Sequence, residues 1–427
     1  GTYTINIGSG GQGGDYSDPN NTIGYDGSNT EIIGNINLKA KGGGGGGSGG
    51  SGGGATYGNS AGNSKYYTSF NIADIVSWSQ KGNYIYGSDN YDKIGGYKNT
   101  SIPRESIALN DDGTIIAIGS EHHSSNSGHV RIFQFSNNIW SQMGQDINGG
   151  SGDGFGSTVS INGSGDTVII GGNKSNGRYA AVYKWNNSSW SIMDSNITGP
   201  GGSSSDEAFG WSVDINNEGN IIAISAPNHS HSSGGSRCGL LKIYEWNGSS
   251  WNQKGTSIYG QDYDYMGKDI SLSDDGLLIV AGGTNNNNAD DSKPGIVRIY
   301  YWNDTLSVPD WTQQGTDLIG ENLSGGATAY NEIRSQMGGC GGLKISGDGK
   351  TLSVHYRNGN DHHIRTFTWN GTAWVKDTVD LDGEQTNDLF GGAISMNKKG
   401  TLMVTGALYY AAGSATGKVY IYKRENS

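Results

Sequence analysis

Proline and cysteine are scarce in this chain of 427 residues, with 6 and 2 copies respectively, and charged residues make up only 16% of it. The two cysteines, Cys238 and Cys340, permit at most one intrachain bridge and exclude a zinc site built from four thiolates. No Lys/Arg-rich stretch occurs, and the net charge is −12. Nucleic acid is therefore discarded as a partner, because phosphate neutralisation needs a basic face. No window of about 18 apolar residues exists, so no membrane span is expected. The first residues carry none of the charged and apolar regions of a signal peptide. The chain starts at Gly1 rather than Met, which points to a processed protein or a fragment.

Glycine and aromatics are abundant: 75 Gly, 24 Tyr and 11 Trp. An ordinary domain holds about 7% Gly and about 25% charged residues. So much glycine excludes an ordinary helical enzyme, whereas low charge with many large rings excludes a simple disordered polymer. The length admits up to about three domains, or one large closed all-β unit.

Composition divides the chain in two. Residues 1–64 are dominated by Gly, Ser and Asn, with an unbroken glycine run from Gly42 to Gly47. Two alternating segments precede that run, Thr2 to Ile7 and Glu31 to Leu38, and both read as strands by their period of two. A flexible linker is one reading of this region. The other is an ordered module, which we favour: strand-like segments beside polyglycine resemble the glycine-rich modules of phage and large-virus fibres and of surface adhesins. That resemblance implies extended threefold polyglycine helices packed through their backbones.

Residues 65–427 repeat, and three markers recur six times in fixed order. The first is a hairpin turn, as in Asp112-Gly113, Ser164-Gly165, Glu218-Gly219, Asp275-Gly276, Asp348-Gly349 and Lys399-Gly400. The second is an alternating strand such as Val130 to Phe133 or Val297 to Tyr300. The third is a tryptophan opening a further strand: Trp78, Trp140, Trp190, Trp251, Trp311 and Trp374. Four strands per unit and six units predict an all-β, six-bladed β-propeller. Trp78 starts an outer strand with no inner strand before it, and the final strand, Val419 to Tyr422, has no Trp strand after it. Residues 78–86 are therefore expected to complete the last blade and close the ring.

The repeats resemble the FG-GAP-like family, because Phe-Gly or a relative introduces the innermost strand at Phe155-Gly156, Phe209-Gly210 and Phe390-Gly391, with Met266-Gly267 a looser match. Two units depart from this with Ile94-Gly95 and Met337-Gly338, and none carries the Asp-x-Asp-x-Asp-Gly calcium loop of integrin-type members. The resemblance thus implies a shape and no obligatory cation.

Strand order places the short turns on one face of the ring and the long, varied connections on the other, where a site is expected. Histidines pair there at His122-His123, His229 with His231, and His362-His363. Adjacent side chains on an extended segment point oppositely, so such pairs make poor chelates, and no metal or other cofactor is expected. Asp262 and Asp264 are the best calcium pair, two apart and so on one side of a strand. The favoured reading makes them turn acceptors, since acids recur at Asp153, Asp206, Asp262 and Asp388. Glu105, Asp214 and Asp269 begin or lie in inner strands, where they either face the channel or pair with Arg104 and Lys268. Cys238 and Cys340 fall in non-adjacent blades and are expected as free thiols. The loop aromatics Tyr259, Tyr263, Tyr265, Tyr330, Tyr409 and Tyr410 offer flat faces for sugars or partner side chains. Asn-x-Ser/Thr sequons, among them Asn99, Asn187, Asn247, Asn303 and Asn370, suit a glycosylated surface protein or follow by chance from the composition.

These observations predict a non-enzymatic protein outside the cell, at a cell surface or on a virion. It would recognise a glycan or surface protein, or assemble into a fibre or capsid-associated structure, through the long-loop face. The alternative is a carbohydrate-active enzyme, a glycosidase or lyase with acids near the channel.

Overall fold

The protein is described from a computed structural model, which covers residues 4–6, 30–33, 38–40, 80–89, 92, 94, 105–172, 178–200, 208–283, 295–319, 331–332, 342–358, 361–384, 388, 390–407 and 418–424. Residues 1–79 and 80–427 form two separate units. In the first, Thr4–Asn6, Thr30–Ile33 and Leu38–Ala40 build a small antiparallel sheet in chain order. The polyglycine run lies outside the described residues.

The second unit is a six-bladed β-propeller. Blade two shows the plan: Thr158–Ile161 is innermost, followed outward by Thr167–Gly172, Tyr179–Trp185 and Trp190–Ile192, all antiparallel. A two-residue strand, Ile197–Thr198, pairs with the far end of the third strand. Blades one, three, four and five repeat this order, and blade six contributes Ile394–Met396, Leu402–Ala407 and Lys418–Lys423.

Local chemistry explains why each unit folds this way. At every inner hairpin an Asn or Ser side chain accepts a hydrogen bond from the amide five residues on, and in all but blade four from the amide four residues on as well. Asn110 Oδ1 takes them from Thr114 and Ile115, Asn162 from Asp166 and Thr167, Asn216 from Asn220 and Ile221, and Asn397 from Thr401 and Leu402, at 2.8–3.0 Å. Ser346 acts alike in blade five, while in blade four Ser273 takes only the Leu278 amide and Asp275 takes that of Leu277. Such local bonds fix the turn before any long-range contact exists. The Phe-Gly pair has an equally physical basis. Phe155, Phe209 and Phe390 are wholly buried between neighbouring blades. The glycine after Phe155 has φ 84°, and a Cβ there would lie 2.6 Å from the His129 carbonyl. Only glycine meets both demands.

Blades interlock at the rim and at the hub. The Trp190 indole donates to the carbonyl of Met143 in the preceding blade at 2.7 Å, and Trp311 does the same to Lys254 at 2.8 Å. On the hairpin face, backbone amides run from blade to blade: Asp111 to Gly163, Gly163 to Asn217, Asn217 to Asp274, Asp274 to Gly347, and Asp348 to Lys398. Apolar clusters fill the spaces between blades one and two, two and three, three and four, four and five, and five and six. Among the described residues no such cluster joins blade six to blade one.

The segment 80–86 lies against blade one. Trp140 donates its indole N–H to the Lys81 carbonyl at 2.7 Å and its amide to Asn83 Oδ1 at 2.7 Å. Trp190 treats Met143 and Gln145 in the same way. Residues 80–83 thus make toward blade one the contacts that an outer strand makes toward the next blade. Trp78 and its pairing lie outside the described residues.

Candidate functional site in the central channel

The inner strands leave a cavity of about 690 Å³ along the axis, which continues sideways between blades six and one. Its polar lining comes from different blades: Glu105 from one, Ser160 from two, Asp214 from three, Asp274 from four, Lys344 from five and Ser395 from six. The sequence identified Glu105 and Asp214 as channel candidates but missed Lys344. Lys344 occupies the inner-strand position that Asp214 holds in blade three, and aligning the six repeats would have exposed that exchange.

Asp214 ties three blades together. One carboxylate oxygen accepts from the Ser160 hydroxyl of blade two at 2.7 Å, and the other accepts from the Leu272 amide of blade four at 2.8 Å. The Lys344 ammonium stands 3.9 Å from the same carboxylate. Asp269 is fully buried and accepts from the Leu343 amide of blade five at 3.0 Å. Innermost strands splay apart around a ring, so these carboxylates supply bonds that no ladder provides.

The electrostatics of the channel are set by that geometry. Enclosure holds the Glu105 carboxyl above the ordinary range; Lys344 opposes this rise and Asp214 adds to it. Asp214 is the main reason that Lys344 stays firmly protonated, against the cost of its enclosure. The channel therefore brings together a carboxyl whose pKa is raised, a fixed cation and the anchored Asp214 side chain. Such a set can donate a proton, neutralise developing negative charge and polarise a water.

The other sequence-derived candidates are distributed differently. Asp262 and Asp264 do not share one side of a strand, because Tyr263 between them sits at φ 60° and reverses the chain. Asp264 is buried, accepting from the Gln261 amide at 2.7 Å and from Arg298 at 2.5 Å. Asp262 accepts from the Ser236 amide in a neighbouring loop. The recurring turn acid is thus Asp264 rather than Asp262, matching Asp153, which accepts from the Gly150 amide three residues before it.

Tyr265 also has positive φ, at 50°, and its hydroxyl accepts from Arg237 at 2.8 Å. Tyr259 stacks on His231 with centroids 4.0 Å apart. Asn247, Asn303 and Asn370 use their side-chain oxygens to cap turns, each accepting from an amide two residues on, while Asn187 occupies an exposed turn at φ 73°. Cys238 is a buried free thiol, and burial raises its pKa. Tyr330, Tyr409, Tyr410, Asn99 and Cys340 lie outside the described residues, as do most of the long connections. No helix among the described residues is long and apolar enough to cross a membrane.

No protein-family model matches the chain, and no curated protein sequence matches it. Among solved structures, a protein from Lactobacillus plantarum is 13% identical, with a TM-score of 0.48, and the match covers 76% of this chain and 81% of that one. The periplasmic gluconolactonase of Pseudomonas aeruginosa is 12% identical with a TM-score of 0.44, covering 74% and 87%. The propeller domain of a trilobed protease from Pyrococcus furiosus, described as having an open velcro topology, is 10% identical with a TM-score of 0.40, covering 75% and 82%.

Proposed function

We propose that the chain is a carbohydrate-active hydrolase whose active site is the central channel. The observation that carries this reading is the gathering of Glu105, Asp214 and Lys344 from three blades into one polar cavity. In this reading protonated Glu105 gives its proton to the leaving oxygen as the glycosidic C–O bond breaks. A water attacks the same carbon from the other side and loses its proton to Asp214. Lys344, 3.9 Å from the Asp214 carboxylate, balances charge in the channel. Serines at the wall supply hydroxyl partners for a sugar.

The test is hydrolysis of a panel of aryl glycosides and polysaccharides by the full chain, its Glu105→Gln variant and its Lys344→Met variant. Glu105→Gln should lower kcat by about 100- to 10,000-fold. Because the active form is the protonated acid, wild-type kcat should fall as pH rises through the raised pKa of Glu105, and the variant should lose that limb. Turnover unchanged by Glu105→Gln would overturn the proposal.

A second reading, surface recognition through the long-loop face, is favoured by Tyr263 and Tyr265. Two bulky residues at positive φ are rare, and such strain gathers at binding sites. Under that reading a Tyr263→Ala/Tyr265→Ala variant loses glycan-array binding while the channel variants keep it. With either activity we propose FG-GAP-like repeats, a ring over 65–427 closed by residues 78–86, a fibre-like glycine-rich module at 1–64, and a location outside the cytoplasm.

A further inference from the structure

On the face opposite the inner hairpins, three side chains from separate parts of blade one and its leading segment converge. Asp92 lies in that leading segment, His123 in the connection after Ile115–Ser120, and His129 opens the strand His129–Ser136. One ligand-capable atom from each falls within 4.8 Å of the others. The two imidazole rings stack at 3.9 Å between centroids.

Asp92 has an ordinary role, the same as Asp153 and Asp264: it caps its own turn, accepting from the Asp89 amide at 2.9 Å and from the Ser88 hydroxyl at 2.8 Å. In blades two and four that acid finds one further partner, the Tyr179 hydroxyl or the Arg298 guanidinium. At Asp92 the further partners are two histidines. His123 Nδ1 lies 2.6 Å from Oδ1, a hydrogen bond that needs no ion.

His129 is not explained that way. It is 0% exposed, and neither ring nitrogen has a hydrogen-bond partner. Nε2 points to Asp92 Oδ2 at 3.9 Å and Nδ1 to Asp146 Oδ2 at 3.7 Å. Both gaps are too long for a hydrogen bond. A buried imidazole with two orphaned nitrogens is costly, and an unseen ion is a recognised cause.

We propose that Asp92, His123 and His129 bind a divalent transition-metal ion of the zinc class. Two imidazoles and one carboxylate are a donor set that zinc accepts, at about 2.0–2.2 Å from each atom, with further positions left for water. The His129 Nε2 to Asp92 gap has the room that a bridging ion needs. The ion replaces the proton shared by His123 Nδ1 and Asp92, and that proton moves to His123 Nε2. Asp146 is a positioning residue: its Oδ2 stands 3.7 Å from His129 Nδ1, and when the ion draws Nε2 in, a small closure of that gap lets it take the Nδ1–H, as carboxylates behind metal-bound histidines do. The ion pins the segment containing Asp92 to the third strand of blade one.

The full chain, stripped with chelator and dialysed, is titrated with Zn²⁺ by calorimetry and with Co²⁺ by visible absorption, and melted with and without Zn²⁺. Wild type should bind a single high-affinity Zn²⁺ and melt higher when loaded. His123→Ala, at a half-buried position, should fold, lose more than about 100-fold in affinity and lose the Zn²⁺-induced melting shift. Asp146→Asn should weaken binding about 10-fold with the stoichiometry kept. A His229→Ala/His231→Ala control, in blade three, should bind like wild type. Absence of high-affinity binding in wild type overturns the proposal. So does a tight site that survives both His123→Ala and Asp92→Asn, or one abolished by the blade-three control.

Discussion

Ile107 in blade one and Val159 in blade two hold the same register position in their inner strands, opposite Ile118 and Ile170, yet Ile107 is 50% exposed and Val159 only 1%. Across from Ile107, Val419 of blade six is 68% exposed, although its counterparts in interior blades are buried. The repeat writes an apolar residue at each of these positions. Burial depends on whether a neighbouring blade arrives to cover it, and among the described residues five interfaces are covered and the sixth is not. A repeat therefore specifies a blade, while the ring requires the two ends of the chain to find each other.

The largest expected effect lies inside the ring. Phe209 is fully buried between blades two and three, so Phe209→Ala should cost about 3–5 kcal/mol in urea unfolding. A cost below about 1 kcal/mol would mean that the interior interfaces are as loose as the seam.

An intermediate effect sharpens the equivalence between residues 80–83 and an interior outer strand. Asn83 and Gln145 make matching bonds to Trp140 and Trp190, so Asn83→Ala and Gln145→Ala should each cost about 1 kcal/mol. A silent Asn83→Ala beside a destabilising Gln145→Ala would remove 80–86 from the ring.

The smallest effect is expected at the seam. Val419→Ala should change stability by less than about 0.5 kcal/mol, as exposed positions do. A loss of about 1 kcal/mol or more would show that blades six and one pack together in solution.

Much of the fold was legible because its determinants are local. The Asn or Ser that closes each hairpin sits within five residues of the amides it holds, and each Phe-Gly pair carries its packing ring and its left-handed turn side by side. The site was less legible. Glu105 and Asp214 were visible as acids on inner strands, but Lys344 gains its meaning only when blade five faces blade three across the channel. Spacing alone misplaced the turn acid at Asp262, because period-two reasoning assumes an extended chain and Tyr263 bends it.

The sequence by itself determined the number of blades, the strand order within each and the turn at every inner hairpin, since those rest on contacts between near neighbours in the chain. Only the tertiary structure decided which charges share the channel, that His129 rather than His122 stands beside His123 and Asp92, and which apolar faces are covered. Those depend on distances between residues far apart in sequence, and periodicity carries no information about them.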